Sequence, residues 1–167
     1  MPQRKCTQCN RLQKVEQRDW NLLDPKGPFV CSADCVLSWI KGMKPPEGGF
    51  SYIVHLTRDK SCLVFGEAKN GHFKFRSLYE YFVAMWLKDR GIRCMYEPFT
   101  FTWGTKEYTP DFFLPTHGCL LEVKGKWGAS QKTKLMRFRE QFPRIPVLVV
   151  TWLIHEDFYP SIVEDAD

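Results

Sequence analysis

The chain has 167 residues, 44% hydrophobic and 26% charged, with a formal net charge of +5 and a pI of about 8.8. These are ordinary globular values for about one domain, and they exclude a disordered or fibrous chain. No apolar run approaches the ~18 residues that span a bilayer, and the start, MPQRKCTQCN, is not a signal peptide, so a soluble cytoplasmic protein with no membrane role is expected.

The first 42 residues show little strand or helix periodicity but hold four of the seven cysteines. Cys6-x2-Cys9 and Cys31-x3-Cys35 form two close pairs separated by 21 residues. In a reducing compartment two such pairs suit a tetrahedral Zn²⁺ site rather than disulfides. Four thiolates leave no position open for water, so the expected role is structural. A unit this poor in apolar residues needs its metal to fold. The segment FVCSADCVLSWI predicts that the second pair opens a short helix running through Leu37 and Trp39. The arrangement resembles FCS-type or treble-clef-like zinc knuckles. Arg4, Lys5, Arg11, Lys14 and Arg18 surround the first knuckle and suit a nucleic acid, or equally a solvated basic face or a protein-docking surface. MKPPEGGF (43–50) reads as a linker, which leaves 51–167 as the main domain.

SYIVHLT (51–57) and SCLVFGE (61–67) alternate like a hairpin. SLYEYFVAMWLKDR (77–90) predicts a helix capped by Ser77 and stopped at Gly91. Strands are predicted over 94–103, 108–115 and 119–125, a helix over 129–142, and a buried apolar strand over 146–152. The acidic tail is expected to fray. This order predicts an α/β domain with a mixed central sheet flanked by helices.

Charges interrupt this apolar pattern at Asp111, Glu122 and Lys124. Residues i and i+2 of a strand share a face, so Glu122 and Lys124 project together. The short connection Pro115-Thr116-His117-Gly118 predicts antiparallel strands, which carry Asp111 to Glu122. Paired carboxylates repel unless a cation lies between them, and hard cations such as Mg²⁺ prefer carboxylate and carbonyl oxygens. The Val123 carbonyl is a further candidate ligand. Lys124 beside such an ion would stabilise developing charge on a phosphate or orient an attacking water. A cross-strand salt bridge from Lys124 to either acid is the plainer reading. Glu80 is the only charge within Leu78–Leu87, a helix stretch apolar nearly all round and therefore expected to be buried on most sides. His117 is a weaker candidate for touching substrate, and Cys62, Cys94 and Cys119 read as small buried hydrophobes.

Pro110-Asp111, ten residues, then Glu122-Val123-Lys124 is the signature of the PD-(D/E)XK nuclease superfamily. The stretch from Phe75 to Val150, 76 residues, resembles phage endonuclease I, the Holliday-junction-resolving nuclease of lytic phages. Phe75-Arg76-Ser77 leading to Glu80, Lys88-Asp89-Arg90-Gly91-Ile92, Tyr108-Thr109-Pro110-Asp111-Phe112-Phe113-Leu114-Pro115, Glu122-Val123-Lys124-Gly125-Lys126-Trp127 and Arg139-Glu140-Gln141-Phe142-Pro143 carry the resemblance. It implies a restriction-endonuclease-like fold and cleavage of branched or structured DNA. Glu80, Asp111 and Glu122 would hold Mg²⁺, with Mn²⁺ as substitute, and Lys124 would be the catalytic lysine. Lys126, Lys132, Lys134, Arg137 and Arg139 would contact phosphates. The resemblance also implies a homodimer, with the helix face around Tyr81, Met85 and Trp86 as interface or core, in a bacterial or phage-infected cell. The cysteine module has no counterpart in that family, and an acidic end replaces its basic extension. The other readings are a nicking or double-strand endonuclease guided by the zinc module, and a non-catalytic DNA or protein adaptor.

Overall fold

The computed structural model describes residues 1–20, 28–42, 50–58, 60, 62–68, 75–125, 128–151 and 161–163. Nearly all of the expected linker, 43–50, lies outside them. β1 (Gln3–Lys5) and β2 (Leu12–Lys14) pair antiparallel around the first cysteine pair. α1 (Gln17–Trp20), β3 (Phe29–Val30) and α2 (Ala33–Gly42) follow, and α2, which contains Cys35, is the helix that the second pair is expected to open. β4 (Phe50–Leu56) and β5 (Cys62–Ala68) form the predicted antiparallel hairpin. α3 (Leu78–Asp89) starts where Ser77 Oγ accepts the Glu80 N–H at 3.2 Å, and Gly91, at φ +67°, ends it as the sequence predicts. β6 (Met95–Tyr96), β7 (Phe99–Trp103), β8 (Lys106–Tyr108), β9 (Phe112–Leu114) and β10 (Cys119–Lys124) lead to α4 (Ala129–Gln141), β11 (Val147–Thr151) and β12 (Ser161–Val163).

The fold is α/β with mixed sheets, as the element order predicts. The strands divide between two five-stranded sheets, β3-β5-β4-β7-β8 and β12-β11-β10-β9-β6. Each sheet contains one parallel pair, β4 with β7 and β10 with β11. The division falls at two prolines. The runs 94–103 and 108–115, expected as unbroken strands, each stop and restart, at Glu97-Pro98 and at Thr109-Pro110-Asp111. A proline has no N–H for the ladder, so both runs leave one sheet there and join the other. The two corners lie side by side. The Glu97 N–H donates to the Asp111 carbonyl at 2.8 Å, and the Thr100 and Thr109 hydroxyls bond at 2.8 Å. Glu97 is held at φ +44°, which a non-glycine residue rarely adopts.

Phe99, Phe101, Phe113, Phe138 and Phe142 fill the larger core. Phe101 meets Phe138 and Phe142 edge-on at centroid distances of 5.0 and 5.2 Å. β3 pairs with β5, and Cys6, Val36 and Ile40 share this core with Val54 and Phe99, so the N-terminal segment is built onto the sheet. A second core lies under α3, where Val83, Ala84 and Leu87 meet Phe112, Leu121 and Val123. The expectation that α3 is buried on most sides does not hold. Glu80, Val83, Ala84 and Leu87 form one buried stripe, while Leu78, Tyr79, Tyr81 and Phe82 are exposed. A straight helix laid on a sheet buries only the residues at this spacing, however apolar its other face. No helix among the described residues is long and apolar enough to cross a membrane.

Candidate active site and four-cysteine cluster

The paired corners set the acids. Asp111 directly precedes β9, and Phe112 registers with Leu121, so Asp111 comes beside Glu122 and Val123. The Val123 N–H donates to Asp111 Oδ2 at 2.6 Å. Lys124 Nζ lies 2.5 Å from Glu122 Oε1, and the Tyr108 hydroxyl donates to Glu122 Oε2 at 2.8 Å. Glu80 arrives from the first turn of α3, where its Oε2 accepts from the Tyr96 hydroxyl at 2.6 Å and the Arg76 N–H at 3.0 Å. Glu80, Asp111, Glu122 and Lys124 line one cavity of about 400 Å³ together with Tyr108 and Gln131. The Lys124–Glu122 salt bridge is present, and Glu80 and Asp111 line the same cavity.

The three carboxylates are buried, at 6 to 9% exposure. Burial raises the Asp111 carboxyl to about 7, and Glu122 and Glu80 add to the rise against the Val123 N–H and Lys124. Burial alone would pull Lys124 down, but Glu122, Asp111 and Glu80 outweigh it and hold the ammonium above the ordinary lysine value. With these carboxylates beside it and no ion between them, Lys124 stays a cation at neutral pH. Burial, then Glu122, pushes Tyr108 well up, so its hydroxyl remains a donor. Three carboxylates and one ammonium lining one cavity leave it short of positive charge, and their hard oxygens are of the type that a divalent cation such as Mg²⁺ takes.

Of the expected phosphate contacts, Lys132, Lys134 and Arg137 are exposed on α4, and Lys134 lines the cavity. Arg139 is half-buried and directs Nη2 to the Val147 carbonyl at 3.0 Å, bracing α4 against β11. Lys126 lies outside the described residues. His117 sits in the β9–β10 turn, at the opposite end of that hairpin from Asp111, not beside it. The sequence reading assigned no role to Tyr96, Tyr108 or the Arg76–Glu97 ion pair, 3.2 Å at the cavity wall. One signal was available: a tyrosine in a buried strand needs a hydroxyl partner, and Tyr108 is three residues from an acid. Nothing in sequence marks the backbone of Glu97.

The four N-terminal cysteines converge as expected. Their Sγ atoms all lie within 4.8 Å of one another, with Cys9–Cys31 at 3.5 Å and Cys31–Cys35 at 3.6 Å. Tetrahedral bonds of ~2.3 Å to one zinc would set sulfurs ~3.8 Å apart, so the cluster fits the ion. The Cys9 and Cys31 N–H groups both point to Cys6 Sγ at 3.4 Å. Burial opposes ionisation of Cys6, but these donors win and lower it to about 7. Burial and neighbouring sulfurs push Cys31 up, and burial with the Cys6 charge pushes Cys35 up. Four thiols this close cannot all ionise without a cation among them.

The family model described as phage endonuclease I matches residues 64–157, which include Glu80, Asp111, Glu122 and Lys124 and exclude the cysteine cluster. Endonuclease I of Escherichia phage T7 is 36% identical over 80 residues, covering 46% of this chain and 53% of that protein. Endodeoxyribonuclease 1 of Enterobacteria phage T3 is 36% identical over 80 residues, covering 46% of this chain and 52% of that protein. The chain thus spans about half the length of the curated relatives it matches. No solved structure matches it. With the matched segment covering more than half of the residues and containing the whole acidic cavity, the chain belongs to the phage endonuclease I family.

Proposed function

We propose that this chain is a divalent-metal-dependent DNA endonuclease, acting on branched or structured DNA in the cytoplasm of a bacterial or phage-infected cell. The observation that carries the reading is the convergence of Asp111, Glu122 and Lys124 with Glu80 in one solvent-reaching cavity, within the segment that places the chain in its family. Glu80, Asp111 and Glu122, with the Val123 carbonyl, would hold Mg²⁺ or Mn²⁺. When bound, the ion supplies positive charge for the scissile phosphate and acidifies water at neutral pH. The chain's own residues set the geometry. Tyr96 fixes Glu80, the Val123 N–H fixes Asp111, and Tyr108 fixes Glu122. Lys124, kept protonated by its neighbours, would stabilise the charge that develops as a water oxygen bonds to phosphorus and the bridging P–O bond breaks.

Zn²⁺ on Cys6, Cys9, Cys31 and Cys35 would be structural and would close residues 1–42 into a module on the nuclease body. The exposed Leu78, Tyr79, Tyr81 and Phe82 of α3 support a homodimer, since such a patch is otherwise a solubility cost. The test is cleavage of a four-way junction, a nicked circle and a linear duplex, with added Mg²⁺ or without. Junction cutting that needs Mg²⁺ and is lost in Lys124→Ala is the expected result. No cutting of any DNA by wild type would sink the enzyme reading, and equal cutting of all three would sink the branch preference.

A further inference from the structure

A second groove, also about 400 Å³, opens beside the catalytic cavity and shares Glu107 and Lys134 with it. Its other walls are Trp103, Lys106, Ser130, Thr133 and Arg137. Two elements build it. Trp103 and Lys106 are direct partners across the tight β7–β8 turn, which Gly104 makes possible at φ +56°, so both side chains leave the same face of the hairpin. Across from them, Ser130, Thr133, Lys134 and Arg137 fall at i, i+3, i+4 and i+7 along the exposed stripe of α4. Trp103 is half-buried and braced by the rings of Phe138 and Phe142, each 6.2 Å away.

We propose that this groove is a subsite for one unpaired nucleotide of the DNA strand whose neighbouring phosphate enters the catalytic cavity. The inference rests on the nuclease reading above. Three cations against one carboxylate call for an anion and disfavour a plain apolar peptide. The braced indole calls for something flat and aromatic, which a bare phosphate track would not satisfy. A nucleotide has both parts. In a duplex both faces of a base are already stacked, so only a base freed at a branch, flap or single-stranded stretch can enter. Glu107 and Lys134 line both cavities, so the groove lies next to the carboxylates. A preference for flaps and single-stranded stretches would then come from this side groove, not from the acids.

The test uses the full chain with Ca²⁺ in place of Mg²⁺, so that binding is read without cutting. The probes are a junction with a short single-stranded flap, carrying a fluorescent adenine analogue at its unpaired base, and a fully paired duplex. Wild type should quench the analogue on binding. Trp103→Leu, which keeps apolar packing on Phe138 and Phe142, should lose the quench and about tenfold in affinity for the junction, with less than about twofold lost for the duplex. Trp103→Phe should restore most of both, which separates stacking from a folding defect. Arg137→Ala should weaken both probes and flatten the salt dependence, with the quench retained. Equal losses on both DNAs, a quench that survives Trp103→Leu, or no quench in wild type would overturn the subsite while leaving the nuclease reading intact. A wild type that neither binds nor cuts DNA would overturn both.

Discussion

Replacing Asp111 with asparagine should abolish cleavage and yet make the protein more stable. The Asp111 carboxyl is buried beside Glu122 and Glu80 and titrates near 7, against an ordinary 3.8. At about 1.4 kcal/mol for each tenfold in proton affinity, holding it ionised costs the fold about 4 kcal/mol. Asparagine keeps an oxygen for the Val123 N–H and removes the charge, but its amide needs an acceptor, so about 2–3 kcal/mol should be gained. In a chain of this size that raises the melting temperature by roughly 4–12 °C. The sign with pH follows from the direction of the shift. A carboxyl whose folded value is raised stabilises the fold fully below its unfolded value, and that contribution is lost as pH rises through the folded one. The gap between variant and wild type should therefore be small at pH 4, open between pH 4 and 7, and stay level above. The assay is calorimetric melting of zinc-loaded protein across that range with no Mg²⁺ added. Adding Mg²⁺ at pH 8 should raise wild type and leave the variant where it was. A gap equal at pH 5 and pH 8, or a variant that melts below wild type at pH 8, would refute the reasoning.

Lys124→Ala should slow cleavage about 100- to 1,000-fold in single-turnover kinetics, since one donor to developing charge is lost, while junction affinity in Ca²⁺ changes by less than about threefold. Tyr108→Phe removes the hydroxyl from Glu122 Oε2, so unfolding in denaturant should show a loss of about 1.5–3 kcal/mol and cleavage should need more Mg²⁺ for half-maximal rate. Metal analysis should find about one zinc per chain, and Cys35→Ser should lower it and loosen the β1–β2 knuckle, read as new protease sensitivity in residues 1–20.

The elements with strong local signals were legible in the sequence. The helices at Leu78–Asp89 and Ala129–Gln141 carry their stops, Gly91 and Pro143, in the residues themselves, and the β4–β5 hairpin alternates plainly. The cysteine spacing and the acid-x-lysine register are likewise local, because a turn brings two thiols together and a pleat puts i and i+2 on one side. What was not legible depends on where distant segments meet. Pro98 and Pro110 each argue for a break, but only their meeting across the hairpin makes it a change of sheet. The apolar circumference of α3 gives no sign of which stripe faces β10. Arg139 looks like its basic neighbours on α4 until the approach of β11 offers it the Val147 carbonyl. Tyr96 and Tyr108 become partners of acids only through that same assembly.

The paired proline corners also divide the labour of the hairpin. Everything on one side of Pro98 and Pro110 is pinned by the sheet that carries Glu122, and everything beyond them belongs to the other sheet. Only the turn at Gly104-Thr105 is free of such a mount, since Trp103 packs on Phe138 and Phe142 and Tyr108 holds Glu122. A change of length at that turn should leave Asp111 in place, because the anchoring bond between Glu97 and Asp111 lies on the near side of the break.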